Sequence, residues 1–451
     1  MSHKLTLHNF GPIKDCTIEL NEFNVITGPQ SQGKSTIAKA VYFFRSVKQI
    51  AVDIMRSGGP EKFRYINPLE LDANDSTWST TLKNKMRYSF TNISEGKYLL
   101  LQDTTLRYEY GSGTKYIEIS DDTENLLIDF HFSPDVEAFF KELDNHSFAG
   151  MEPAQLKKEE EALFTFFDDH YEVFYIPAGR SVMAVLSDQL PFLFNSLDFL
   201  GSQKIDQLFR NYATQIFKLK PLLLQGLEGF LSICQKNGEY TDAYASAKDA
   251  IILIMKRADR IVQGKYRCVG DEERIYLTDS TDIFEDRYVK INYASSGQQE
   301  VVWIFNFLVY YLATNQKVFL IVEEPESHLY PESQRLLAEA LSAFRNTANG
   351  GSNRLLITTH SPYILGSLNY MLLAGQCLEK TADGVKKEID PHLWIRKDGL
   401  AAWFVTDGHV ENGLNEDDGL TLIKNELIDG ASDEVNRLTD FVLEQESDDA
   451  N

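Results

Sequence analysis

Apolar and polar positions alternate through Leu5 to Leu7 and Thr17 to Leu20 on either side of a turn at Gly11-Pro12. Phe23 to Thr27 is a short apolar run that ends at a glycine-bounded loop. This pattern predicts three strands, and a helix is expected from Lys34 to about Ile54. Residues 55 to 80 read as a loop-rich insertion, with Gly58-Gly59-Pro60, Asn67-Pro68 and Asp72 to Ser76 as its turn signals. Alternating segments follow at Arg87 to Phe90, Leu99 to Leu101, Leu106 to Tyr110, Tyr116 to Ile119 and Leu126 to Phe132, joined by turns rich in Gly and Asp. Together they predict an antiparallel meander with one buried face. Residues 134 to 170 are helical and acidic, and Val173 to Ile176 is a strand ending at Pro177-Ala178-Gly179-Arg180. From Ser181 to Gln263 the pattern is helical, broken at Pro191, at Pro221 and at the loop Lys236 to Tyr240. Strands at Arg274 to Leu277 and Tyr288 to Ile291 lead to Ser295-Ser296-Gly297-Gln298. Then come a helix to about Leu312, a strand Val318 to Val322, a helix Pro331 to Phe344 and a strand Arg354 to Thr358. From Ser361 onward the segment is mixed, with an acidic end.

Composition narrows the class. The chain has 451 residues, enough for two or three folding units, and 67 acidic against 44 basic side chains leave a formal charge of -23. Such a surface repels polyphosphates on average, so any phosphate site has to be local. Cys16, Cys234, Cys268 and Cys377 stand far apart with no CxxC pair, which fits reduced thiols better than a zinc ribbon or a disulfide framework. The start of the chain lacks the apolar stretch of a signal peptide, and the longest apolar run, Val301 to Ala313, is too short to span a bilayer. A cytoplasmic protein without a membrane partner is expected.

The chemistry begins at Gly28-Pro29-Gln30-Ser31-Gln32-Gly33-Lys34-Ser35, followed by Thr36, a GxxxxGK[ST] run set between a hydrophobic strand and a helix. Glycines let backbone N–H groups curl around a β-phosphate, and the helix N-terminus adds a favourable dipole. Lys34 then reaches the β- and γ-oxygens while the Ser35 hydroxyl meets magnesium. ATP and Mg2+ are therefore the expected cofactors. Val318 to Val322 ends in Glu323-Glu324, as a buried parallel strand delivering acids at its C-terminal edge would. Glu323 is assigned to magnesium, and Glu324 to the attacking water as a catalytic residue. The strand Leu355 to Thr359 ends at His360, which could hydrogen-bond a γ-phosphate oxygen. Ser295-Ser296-Gly297-Gln298 places hydroxyls and free amides at a helix start, a second anion site. Taken singly, each of these three has an ordinary reading: a solvated strand end, a satisfied histidine, an N-cap. Their order along one chain makes them a set.

That order resembles the ABC-type ATPases, and within them the RecF/SMC/OLD-like group. Ala294-Ser295-Ser296-Gly297-Gln298 stands where the group has LSGGQ, with Ala294 for Leu and Ser296 for the first Gly. Glu324-Pro325-Glu326-Ser327-His328-Leu329 resembles the EPExHL stretch, Asn9-Phe10-Gly11-Pro12-Ile13 an N-terminal NFGPI opening, and Pro177-Ala178-Gly179-Arg180 a PAxR element near the Q-loop position. The resemblance implies an α/β ABC-type P-loop ATPase head with a mixed sheet, carrying an antiparallel β meander and a helical insertion. It divides the chain into an N-terminal lobe 1–180, a helical insertion 181–270, a C-terminal lobe 271–370 and a C-terminal segment 371–451. It also implies a head-to-head dimer in which Ser295, Ser296, Gly297 and Gln298 of one subunit complete the ATP site of the other. Arg180 is the stand-in for a Q-loop glutamine. Gly96-Lys97 and Gly264-Lys265 lack the rest of a phosphate loop, so the chain holds one, and a homodimer with two composite sites, or a higher oligomer, is the economical expectation.

Three roles compete within this class. One is the ATPase of a bacterial antiphage complex, similar to stand-alone subunits of PARIS-type or Septu-type systems, holding a separate nuclease or toxin. Another is a repair or recombination ATPase of the RecF/SMC type, and the third is a transporter nucleotide-binding subunit. The nearly three hundred residues between Lys34 and Glu324 argue against the transporter; the missing coiled coil and the acidic charge argue against repair. OLD nucleases carry a Toprim domain, but after Pro362 there is no strand ending in Glu followed by a DxD pair, so nuclease chemistry is expected in a partner. The basic groups Lys83, Lys85 and Arg87, or Lys256, Arg257 and Arg260, make DNA contact possible without indicating it. Residues 411–451 carry thirteen acids against Lys424 and Arg437, so this end holds nearly half the net negative charge.

Overall fold

The computed structural model describes residues 3–66, 77–94, 100–122, 127–186, 189, 206–238, 240–277, 287–347, 353–417 and 419–424. The turn signals at Asn67-Pro68 and Asp72 to Ser76, the pair Gly96-Lys97, the break at Pro191 and the acidic end past Lys424 lie outside the described residues. One mixed eleven-stranded sheet organises the chain. Its parallel half consists of β3 (Phe23–Thr27), β7 (Glu172–Ile176), β11 (Val318–Glu323), β12 (Arg354–Thr359) and β13 (Leu400–Thr406), ordered β7-β11-β12-β3-β13. Every residue of β3 and β11 is buried, which explains their unbroken apolar runs: a parallel strand with helices on both faces has no side for water.

The antiparallel half is the meander. Strands β1 (His3–Phe10), β2 (Ile13–Leu20), β4 (Leu100–Tyr110), β5 (Lys115–Asp122) and β6 (Leu127–Phe132) pair in the order β2-β1-β4-β5-β6. The halves meet through β14 (His409–Asn412), antiparallel to β13 and touching β2 where His409 faces Asp15. Residues of the C-terminal segment thus lie within the main sheet, beside β3.

Two cores follow from this layering. Phe319 and Ile321 of β11 face helix α1 (Lys34–Arg56) and the meander, while Val318, Leu320 and Val322 face the helices 207–219, 241–262, 296–313, 331–346 and 362–375. The strand expected at Arg87 to Phe90 is instead part of a helix, Trp78–Ser94. Trp78, Leu82, Met86, Phe90 and Ile93 are its buried apolar residues, spaced four, four, four and three apart, which only a helix places on one face. An additional strand, β8 (Gly264–Val269), pairs with β9 (Glu272–Leu277) in a small sheet completed by β10 (Tyr288–Lys290). No described helix is long and apolar enough to cross a membrane.

Candidate nucleotide site

All five parallel strands deliver their following loops to one edge, the place where open α/β sheets bind ligands. After β3 the chain turns through Gly28 (φ 143°), Ser31 (φ 63°) and Gly33 (φ 103°) into α1. A Cβ on Gly28 would stand 2.2 Å from the Val405 carbonyl oxygen of β13, and one on Gly33 would stand 2.5 Å from Cδ1 of Ile13. These two glycines are therefore set by close approach as well as by positive φ. No side chain caps the first turn of α1, so its N–H groups present the partial positive charge that anions favour. Pro29, Gln30 and Ser31 are exposed, Gln32, Ser35 and Thr36 half-buried, and Gly28, Gly33 and Lys34 buried. The Lys34 ammonium donates to the carbonyls of Gly28 (2.9 Å) and Pro29 (2.8 Å). Burial lowers its pKa from the ordinary lysine value, opposed by the nearby carboxylates of Glu324 and Glu326. The phosphate loop and the acids after β11 thus face one another.

Glu323 is 4% exposed; its Oε2 accepts from the Ala178 N–H (3.0 Å), while its Oε1 is buried with no donor in good hydrogen-bond geometry among the described residues, the Tyr175 hydroxyl lying near the carboxylate. Such an oxygen suits a hard cation that takes one or two carboxylates and keeps its waters. Together with the Ser35 hydroxyl, the donor set fits Mg2+. Glu324 adopts φ 39°, a left-handed conformation costly for a residue with a Cβ. Its N–H donates to the Thr358 carbonyl (2.9 Å), which fixes the turn. The His360 ring is part-exposed, with Nδ1 3.9 Å from Glu324 Oε1 and 3.3 Å from Glu326 Oε1.

Ser295 caps the helix Ser296–Ala313 in a capping box with Gln298, whose amide also donates to the Val262 carbonyl (2.6 Å). Ser295 and Ser296 remain exposed. Gly297 packs on the His328 carbonyl, where a Cβ would come within 3.0 Å. Arg180 is 1% exposed. Its guanidinium donates to the carbonyls of Pro177 (3.1 Å), Glu300 (2.9 Å), Glu323 (2.9 Å) and Glu324 (3.2 Å), and it pairs with the Glu300 carboxylate (3.1 Å). The geometry therefore gives Arg180 the work of holding β7, β11 and the 296–313 helix together. Its donors are spent inside the chain.

Sequence reasoning passed over Glu326, quoting it only within a motif. An acid two places beyond a strand-ending pair was the available signal. It also passed over Asp407, whose N–H donates to the Gln32 side chain (2.8 Å) and brings the end of β13 against the phosphate loop. No local pattern announces that contact.

A family model for the AAA ATPase domain matches residues 1–176 and 201–365. The chain belongs to this family and is an ATP-binding ATPase. No curated protein matches it. Solved structures to which it is similar include an SMC head bound to the C-terminal winged-helix domain of ScpA, at 10% identity and a TM-score of 0.39, covering 94% of this chain and 97% of that one. The SMC head domain from Thermotoga maritima matches at 10% identity and a TM-score of 0.34, with the same coverage. The recombination mediator RecF with a bound ATP analogue matches at 12% identity and a TM-score of 0.31, covering 91% of this chain and 98% of that one.

Proposed function

We propose that the chain binds ATP with Mg2+ at the edge of β3, β11 and β12, hydrolyses it as a homodimer, and uses that cycle to hold and release a separate effector protein. The observation that carries the hydrolytic part is the convergence of Lys34 and Glu324 at the edge formed by the ends of β3, β12 and β11. Bound magnesium supplies a charge that offsets the one developing on the γ-phosphoryl group. The loop amides and Lys34 hold the phosphates, Ser35 and Glu323 hold the metal, Glu324 orients and deprotonates the attacking water, and His360 bonds a γ-oxygen. Arg180 ties Glu300, in the helix that follows the signature turn, to the ends of β7 and β11. The distance of β7 from β3, three strands or about 14 Å at ~4.8 Å per strand, supports the reading that Ser295 to Gln298 serve the nucleotide of a second copy.

Glu324→Gln is expected to lower kcat by about a hundredfold or more while leaving ATP binding intact. The variant should accumulate as an ATP-bound dimer in light scattering after size exclusion. Unchanged turnover removes Glu324 from this role.

Support for an effector comes from the resemblance to stand-alone antiphage ATPases, and from exposed apolar side chains on the helical insertion, Leu224, Ile233 and Ile252. Such side chains suit a protein partner in the cytoplasm. Co-expression with neighbouring genes followed by affinity purification is expected to recover a nuclease or toxin that dissociates with the nucleotide state. A homodimer without companions sinks the effector reading; turnover stimulated by DNA favours the repair and recombination role instead, and co-purification of a membrane permease favours transport.

A further inference from the structure

Glu326 is a buried carboxylate, 4% exposed, that the hydrolytic scheme does not use. Its Oε1 accepts from the Thr359 hydroxyl (2.7 Å) and the His360 backbone N–H (2.9 Å), and lies 3.3 Å from Nδ1 of the His360 ring. Its Oε2 is buried without a hydrogen-bond partner among the described residues. Two carboxylates thus face one ring nitrogen, and Glu326 is the nearer and the more deeply buried. Glu324 stands at 3.9 Å with its side chain 30% exposed.

We propose that Glu326 is a positioning residue for turnover, holding His360 with a hydrogen on Nδ1 so that Nε2 is the nitrogen offered to the nucleotide. A carboxylate is only an acceptor, and a ring nitrogen beside one carries its hydrogen whether the imidazole is neutral or charged. Occupied in this way, Nδ1 does not compete for Glu324, which stays available to water. The backbone bond to His360 and the hydroxyl of Thr359 fix the carboxylate relative to the strand end, so the ring is aimed from two sides. This rests on the reading of His360 as a residue that contacts the γ-phosphate.

A purely structural Glu326 would cap the turn after β12, and glutamine, which keeps an acceptor oxygen, would do that equally well. The tautomer separates the two roles. In full-length protein labelled with 15N-histidine, with His360→Gln used to find the resonance, the wild type is expected to show a protonated Nδ1. Glu326→Gln, whose uncharged oxygen is the weaker acceptor, should move part of the hydrogen toward Nε2 and lower kcat roughly tenfold or more, with KM for ATP within about twofold. Glu326→Asp, which keeps the charge, should restore the Nδ1–H form and part of the rate. An unchanged tautomer and unchanged kcat in Glu326→Gln overturn the proposal. A His360→Gln variant with wild-type kcat overturns the role of His360 itself, and the catalytic half of the inference with it, whatever the spectra show for Glu326.

Discussion

A histidine buried beside an arginine stays neutral. His3 is 1% exposed, with Nδ1 3.0 Å from the Tyr108 hydroxyl and Nε2 3.2 Å from the Asp168 carbonyl, and burial followed by the Arg45 charge lowers its pKa from 6.5 to about 3. The unfolded chain takes up that proton near its ordinary value, so below about pH 6.5 the unfolded state binds more protons and stability declines toward about pH 3. Asp169, in the same cluster, works in a lower window. Burial pushes its carboxyl up, but Arg45 (2.6 Å) and Lys48 (2.6 Å) outweigh it and hold the pKa down to about 2. Its stabilisation is complete above its ordinary value of 3.8 and is lost only as pH falls through about 2. Between pH 6.5 and 4, then, His3 is the member of the cluster whose protonation differs between the folded and the unfolded chain. His3→Gln is expected to flatten the fall of the melting temperature over that interval in calorimetry at stepped pH; parallel slopes for variant and wild type would assign the dependence elsewhere.

At the scale of elements, the helix Trp78–Ser94 shows what a short window hides. Arg87-Tyr88-Ser89-Phe90 alternates polar and apolar as a strand does, and only over seventeen residues does the 3.6-residue period separate itself from the two-residue one. The same limit concealed β8, whose six residues follow directly on a long helix. Where a run was long, or ended in chemistry, the reading was direct: β3, α1, β11 and β12 are legible because buried parallel strands are continuous apolar stretches and a phosphate loop needs glycine at set positions. Met86 sits at the centre of the misread helix with no exposure. Met86→Ala should cost about 2 to 5 kcal/mol in urea unfolding, whereas a solvent-facing position would change stability by about 0.5 kcal/mol or less. A cost in the latter range would place Met86 outside the core.

At the scale of the molecule, motif order pointed to the candidate site, but the walls around it could not be read from sequence. Glu326 and Arg180 meet backbone groups and a ring nitrogen brought together by β7, β11, β12 and the 296–313 helix, and nothing local to either residue encodes those meetings. The least legible wall is β13. It lies against β3, its Val405 carbonyl fills the space a Gly28 side chain would need, and Asp407 reaches Gln32 across 375 residues of sequence. During synthesis the phosphate loop leaves the ribosome early and its neighbouring strand late, and a contact of such long range is slow to close. The nascent chain therefore carries the phosphate-loop motif through the synthesis of 375 further residues without the strand that shapes it. The loop takes its final shape only once residues 400–407 have emerged and folded in beside β3.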